Sequence, residues 1–163
     1  MAEELLQHTR LDGISDYIAA LDTLCKLARN NLYLFDKDFD GSGYNSEARY
    51  ETLRNFLLAS PANRLFVLAH DAGYLANRCP RMMMLLHQFG TGMFVYQTPK
   101  NLKYISEPFS VADDAHCVRR FHFDDPCGIL AQHDPGQART QKARFLEMWV
   151  TSAPSSSTSR LRM

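Results

Sequence analysis

The chain has 163 residues, 45% apolar and 22% charged, which is the size and usage of one globular domain and excludes a disordered or fibrous chain. Eighteen Lys and Arg balance eighteen Asp and Glu, so no net field draws it toward a polyanion or an anionic membrane, and nucleic acid is not an expected partner. Cys25, Cys79, Cys117 and Cys127 are widely spaced with no CxxC pair and read as reduced thiols. The opening MAEELLQHTRLDG is polar and acidic, and no apolar stretch approaches the ~20 residues of a membrane helix. A cytoplasmic protein without a membrane segment is expected.

Taken in chain order, Ile14, Tyr17, Ile18, Leu21, Leu24, Cys25 and Ala28 repeat at helical spacing behind Asp12 and Gly13, which predicts an amphipathic helix over 14–29. NLYLFDKDF, Asn31 to Phe39, is a compact aromatic and aliphatic run that predicts a strand. Ser46 then caps a second helix with Glu47 in its first turn and Tyr50, Leu53, Phe56 and Leu57 as its buried stripe, stopped by Ser60-Pro61. RLFVLAHD, Arg64 to Asp71, is the continuous apolar run of a strand buried on both faces. Pro80 opens a helix carrying Met82, Leu85, Leu86 and Phe89, and MFVYQTP, Met93 to Pro99, gives a third strand. PFSVAD (Pro108 to Asp113) and CVRRFHF (Cys117 to Phe123) make a hairpin around Asp114, Ala115 and His116. Ala138, Phe145, Met148 and Trp149 mark a closing helix, and the polar tail from Pro154 reads as disordered. Alternating strands and helices followed by a hairpin and a last helix predict an α/β fold with a mixed β-sheet and helices on both faces. The expected division is an N-terminal helical extension over 1–30 packed on the domain, an α/β domain over 31–153 and a disordered tail over 154–163.

FDKDFDGSGYNSE, Phe35 to Glu47, is the stretch richest in chemistry. Asp36, Asp38, Asp40, Gly41 and Glu47 satisfy the calcium-loop spacing D-x-D-x-D-G-x5-E. Such a loop follows a helix, whereas Asn31 to Phe35 reads as strand, and no sister loop is present. Alternatively, Asp36 as nucleophile and Asp38 as acid/base, at the end of a strand where α/β sites lie, with Asp113 and Asp114 as magnesium ligands, would make a metal-dependent phosphohydrolase. It resembles the haloacid dehalogenase pattern, but Phe39 and Asp40 stand where that family has a glycine and a threonine. A third arrangement, zinc held by His116, Cys117, His122, Cys127 and His133, fits no common ligand spacing. Met82, Met83 and Met84 spread over most of a helical turn, so at most two share a face and core packing explains that face.

The run from Asn31 to Phe89, then PFSVADDAHCVRRFHFDD and QARTQKARFLEMWV, resembles a bacterial domain of unknown function related to the phospholipase D superfamily. That resemblance implies a phospholipase D-like fold over about Asn31 to Ser152. In active members, HxKxxxxD supplies a histidine nucleophile, a phosphate-neutralising lysine and an aspartate that orients the histidine. With Asp113 at the aspartate position, Pro108 stands where the lysine should be and Ser106 where the histidine should be. A serine without a base is a poor nucleophile and proline carries no charge. The resemblance therefore implies a catalytically silent binding or regulatory module, with no cofactor, acting on an unknown protein or small-molecule ligand as a homodimer. Asp113, Arg119, Arg120 and His122 are the expected ligand-facing residues. Because Arg119 and Arg120 are adjacent on a strand, only one of them can face a cleft.

Overall fold

A computed structural model describes residues 5–159. In chain order its elements are β1 (Gln7–Leu11), α1 (Ile14–Leu27), β2 (Asn31–Asp36), α2 (Glu47–Ala59), β3 (Arg64–Ala69), α3 (Gly73–Arg78) and α4 (Pro80–Gln88). They continue with β4 (Met93–Gln97), β5 (Phe109–Ala112), β6 (His116–His122), β7 (Asp125–Gln132), α5 (Pro135–Trp149), β8 (Ala153–Pro154) and α6 (Ser156–Ser159). The strands form one mixed sheet in the order β1-β7-β6-β5-β2-β3-β4-β8. β2, β3 and β4 are parallel, and the remaining pairings are antiparallel.

The interiors of β2 and β3, Leu32 to Phe35 and Leu65 to Ala69, are continuously apolar because both faces are covered. On β2, Leu32 and Leu34 face a core made with Leu21 and Leu24 of α1, Leu53 of α2 and Leu85 of α4. The alternate residues Tyr33 and Phe35 face Ala138, Phe145 and Met148 of α5. Period-two alternation thus feeds two cores, one on each side of the sheet. Each Leu or Phe buried in them contributes roughly 1.5–3 kcal/mol. Trp149 anchors the end of α5 by stacking on Tyr96 at 4.0 Å and meeting Phe66 edge-on at 5.4 Å.

Helix starts follow local chemistry. Ser46 Oγ accepts the Arg49 backbone N–H at 3.1 Å, Asp134 Oδ1 accepts that of Gln137 at 3.2 Å, and α4 and α5 both open on proline.

Four features differ from expectation. β2 stops at Asp36 because Lys37 onward turns away, with Phe39, Gly41 and Gly43 all at positive φ. The segment ahead of residue 31 carries the edge strand β1 as well as a helix, paired in full register to β7. β7 itself lies in DPCGILAQ, whose proline and glycine disguise it. Gly128 is required there: a Cβ would lie 1.9 Å from the Arg119 carbonyl oxygen, where β6 and β7 close together beside a register shift. Finally, Pro154 to Ser159 of the expected disordered tail is built into β8 and α6, with Ser155 and Thr158 buried; residues 160–163 of that tail lie outside the described residues.

Candidate functional site

Because β2, β3 and β4 are parallel and β6 runs in the same direction through two antiparallel steps, the four strands end at one edge of the sheet. A cleft of about 680 Å³ opens there, at the carboxyl ends of strands where α/β sites form. Each strand end contributes: Lys37 after β2, His70 and Asp71 after β3, Gln97 at the end of β4, His122 at the end of β6, and Phe123 and Asp124 after it. Lys103 and Ser106, on the irregular segment between β4 and β5, close the remaining side.

His70 is the best-buried ionisable group of the cleft, 7% exposed. Its ring meets Phe35 edge-on at 5.1 Å and Phe123 at 5.6 Å. Nε2 lies 2.7 Å from the Ile105 carbonyl oxygen and Nδ1 2.6 Å from Thr98 Oγ1. A carbonyl oxygen only accepts, so Nε2 carries the ring proton; Nδ1 of the neutral imidazole then accepts from the Thr98 hydroxyl. Burial holds the imidazole pKa below its ordinary value, and the Lys103 and Lys37 charges push the same way against the Ile105 carbonyl. Lys103 Nζ donates to Thr98 Oγ1 at 3.0 Å, to the Thr98 carbonyl at 3.0 Å and to the His70 carbonyl. Burial lowers its pKa as well. An imidazole and an ammonium do converge in the cleft, and both spend their hydrogen bonds inside it.

The other lining groups are less committed. His122 Nδ1 accepts the Asp124 backbone N–H at 3.0 Å, with the Asp124 carboxylate 3.6 Å away. Asp71 Oδ1 accepts the Gly73 N–H at 2.8 Å, and Gln97 Oε1 that of Ala72 at 3.2 Å. Ser106 accepts the Phe123 N–H through its carbonyl at 2.8 Å, leaving the side chain at the cleft. Two lysines face two aspartates, so the cleft is a mixed-charge surface.

The residues expected to share a ligand face do not share one. His122 lines the cleft. Asp113 stands at the opposite end of the sheet, ~20 Å along β6 from His122 at about 3.3 Å per residue. There it sits at φ 57°, and its carboxylate accepts the backbone N–H groups of Arg29, Asn30 and Asn31 at 3.0, 2.8 and 2.9 Å. It closes the turn between α1 and β2 and orients no group in the cleft. Arg119 and Arg120 point to opposite faces, as strand geometry requires. Arg119 reaches Gln137 on α5 at 3.4 Å. Arg120 is buried over the Tyr17 ring and donates to the carbonyls of Asp125 and Phe123 at 3.0 and 2.6 Å.

Asp36 lies beneath this surface, 6% exposed. Its Oδ1 accepts the Lys37 N–H at 2.7 Å and its Oδ2 the Ser42 hydroxyl at 3.3 Å. Burial, only partly offset by those bonds and by the Arg120 charge, pushes its pKa up to about 6. Asp38 turns back to accept the Asp40 N–H at 3.0 Å, and Glu47 lies in the first turn of α2. The loop is organised from within. Gly43 at φ 83° packs closely on Arg49, where a Cβ would lie 3.2 Å from Nη2, and the wholly buried guanidinium holds Asp22, the Ser42 carbonyl and the Ile18 carbonyl. Among the described residues, no three His, Cys, Asp or Glu side chains gather to hold a metal. Neither the calcium set Asp36, Asp38, Asp40 and Glu47 nor the zinc set His116, Cys117, His122, Cys127 and His133 brings three such groups together. His116 and His133 do meet, ring centroids 4.6 Å apart, at the far end of β6 from His122.

His70, Thr98 and Lys103 escape a reading of the sequence alone. His70 carried a usable signal, as a polar residue ending the apolar run RLFVLA. Lys103 carried none, since it reaches the site through a non-repeating turn.

The model of a domain of unknown function, DUF7931, matches residues 14–161. The chain belongs to that family. No curated protein matches the DUF7931 chain. Among solved structures it is similar to Nuc from Salmonella typhimurium, a phospholipase D family member, with TM-score 0.66 and 10% identity over 94% of this chain and 99% of Nuc. NucT from Helicobacter pylori gives TM-score 0.63 and 11% identity over 93% of this chain and 100% of NucT. TrmBL2, an archaeal chromatin protein, gives TM-score 0.66 and 13% identity over 93% of this chain, which spans about half, 54%, of TrmBL2. Identities this low establish the fold, which is phospholipase D-like, and leave activity to the site. No helix among the described residues is long and apolar enough to cross a membrane.

Proposed function

We propose that this DUF7931 domain is a phospholipase D-like module that has lost diester chemistry and acts by binding a ligand in the cleft at the carboxyl end of its sheet. The observation that carries this reading is the closure of His70: one ring nitrogen donates to the Ile105 carbonyl, the other accepts from Thr98, and neither lone pair nor proton faces the cleft. A nucleophile or general base needs a free nitrogen within reach of the reacting atom. Lys103, which could neutralise a phosphate, spends its donors on Thr98 and the His70 carbonyl.

Sequence and fold point the same way. Ser106 lines the cleft where the superfamily pattern wants a histidine, and Pro108 is buried where it wants a lysine. His122 faces the cleft but is followed two positions on by Asp124, whose charge would repel a phosphodiester. The rival phosphohydrolase has less support, since Asp36 is buried with both carboxylate oxygens occupied.

A small polar molecule or a peptide segment carrying both charges suits a cleft with Lys37 and Lys103 opposite Asp71 and Asp124 better than a polyanion does. TrmBL2 is described as binding DNA in a novel mode; the balanced charge of this chain weighs against carrying that property over. A cytoplasmic homodimer of bacterial origin remains part of the reading, the dimer resting on the superfamily habit of joining two such domains. A monomeric mass in light scattering at high protein concentration would remove that part.

The test of function is a thermal-shift panel of zwitterionic, anionic and single-stranded nucleic acid ligands, run beside hydrolysis of bis(p-nitrophenyl) phosphate. The reading expects stabilisation by a mixed-charge ligand, lost in Lys37→Ala, without turnover. Hydrolysis abolished by His122→Ala or His70→Asn would replace it with an active enzyme.

A further inference from the structure

The hydrogen bonds around His70 run in one direction only. The Ile105 carbonyl fixes the proton on Nε2, the bare Nδ1 requires Thr98 to donate, and the Thr98 oxygen is then free to accept from Lys103. Each assignment follows from the one before. The chain joins β3 to the segment that walls the cleft, Pro99 to Ile105, which is otherwise anchored to the core through Ile105 and Leu102 at its far end. That segment contains one helical turn, Lys100–Leu102, with no fully buried residue, and Tyr104 is among the most exposed large side chains of the protein.

We propose that His70, Thr98 and Lys103 form an acid-sensitive latch on this wall of the cleft, shut when His70 is neutral and released when it takes up a proton. A proton from solvent can bind only at Nδ1. That nitrogen then becomes a donor toward Thr98 Oγ1, and the Thr98 hydroxyl hydrogen must turn away from it. Two cationic donors, the imidazolium and the Lys103 ammonium, would converge on one oxygen, while the ammonium also sits against the carbonyl of His70 itself.

Asp71 lends Lys103 partial electrostatic support, but no carboxylate is hydrogen-bonded to the His70 ring, whose nitrogens meet Thr98 and the Ile105 carbonyl. Of the charged groups around the ring, Lys37 at the end of β2 adds a further positive charge. Asp71 on the β3 side has Oδ1 tied to Gly73, and Asp124 after β6 lies beside His122. From β2 and the turn after β6, the ring itself is faced by Phe35 and Phe123. Like-charge repulsion beside the buried ring therefore falls on Lys103, the exposed partner that can turn toward solvent. Its displacement frees the Lys100–Leu102 turn and widens the cleft. The latch operates whether the cleft only binds or also turns over a ligand.

The experiment is backbone amide hydrogen exchange over residues 99–106 of the full chain, corrected for intrinsic rates, from pH 7.5 to pH 4.5. The His70 ring nitrogens are followed by NMR in the same samples. Asp36→Asn is used as the background, because Asp36, with its pKa pushed up to about 6, titrates within the pH range scanned. At pH 7.5 the ring should carry its proton on Nε2 alone. As the ring gains its second proton, exchange in 99–106 should rise about tenfold, the equivalent of one charge-assisted hydrogen bond, while β2 and β3 stay protected. Thr98→Val, which removes the relay, should exchange fast in this segment at every pH. Protection unchanged while the ring protonates, a ring that stays neutral to pH 4.5, or a Thr98→Val variant that keeps the pH response would each overturn the latch.

Discussion

Replacing Asp36 by asparagine should stabilise the protein at neutral pH, and the size of the gain follows from its surroundings. The carboxyl is 6% exposed and its pKa is pushed from the ordinary 3.8 up to about 6, mainly by burial. Because the folded state holds the proton more tightly than the unfolded chain, this group favours folding below pH 3.8, and the benefit disappears as pH rises through about 6. Above that window a charged carboxylate stays buried at a cost of about 3 kcal/mol, at about 1.36 kcal/mol per pKa unit. Asparagine keeps the shape, its amide oxygen can accept the Lys37 N–H, and its NH2 can donate to Ser42 Oγ. Asp36→Asn should therefore match the parent near pH 4 and exceed it by about 3 kcal/mol at pH 7.5, or about 6–12 °C in Tm for a chain of this size. Urea titrations at the two pH values measure the difference directly. A variant less stable than the parent at pH 7.5, or an advantage that does not change with pH, would refute burial as the dominant influence on Asp36.

Two further substitutions probe how the site is held. Gly128→Ala should cost more than about 3 kcal/mol, beyond ordinary overpacking, because its methyl would strike the Arg119 carbonyl at 1.9 Å; a urea midpoint within error of the parent would contradict the close β6–β7 approach. Arg49→Ala should cost about 3–5 kcal/mol by leaving Asp22 and the Ser42 and Ile18 carbonyls without their donor. Arg49→Lys should recover little of that stability, since one ammonium cannot span three acceptors on separate elements.

Much of this architecture could be read from apolar spacing. Leu32 to Phe35, Leu65 to Leu68 and the stripe Leu53, Phe56 and Leu57 announce buried strands and a half-buried helix because burial on two faces and on one face leave different periods. The strands that escaped are those whose sequence is set by a local contact. Gly128 is demanded by the Arg119 carbonyl, which a Cβ would meet at 1.9 Å, and β1 has four exposed residues out of five, with no apolar pattern to mark it. The site was harder for a similar reason. Asp36 and Asp113 are acidic residues at strand ends, which is what a catalytic carboxylate looks like in sequence; only the fold shows that one accepts Ser42 and a backbone amide and the other three backbone amides. His70 and Lys103, 33 residues apart, meet because β3 and the turn after β4 end at the same edge, a juxtaposition no local motif encodes.

The measurement closest to the heart of this account is the rate at which the purified chain hydrolyses an activated phosphodiester, compared with buffer and with Thr98→Val, which uncaps Nδ1 of His70. Both proteins should be indistinguishable from buffer, since the Ile105 carbonyl still holds Nε2 of His70 in the variant and Ser106 and Pro108 stand where the superfamily pattern has its histidine and lysine. Turnover by the parent chain that vanishes in His122→Ala would show that the cleft is an active site after all.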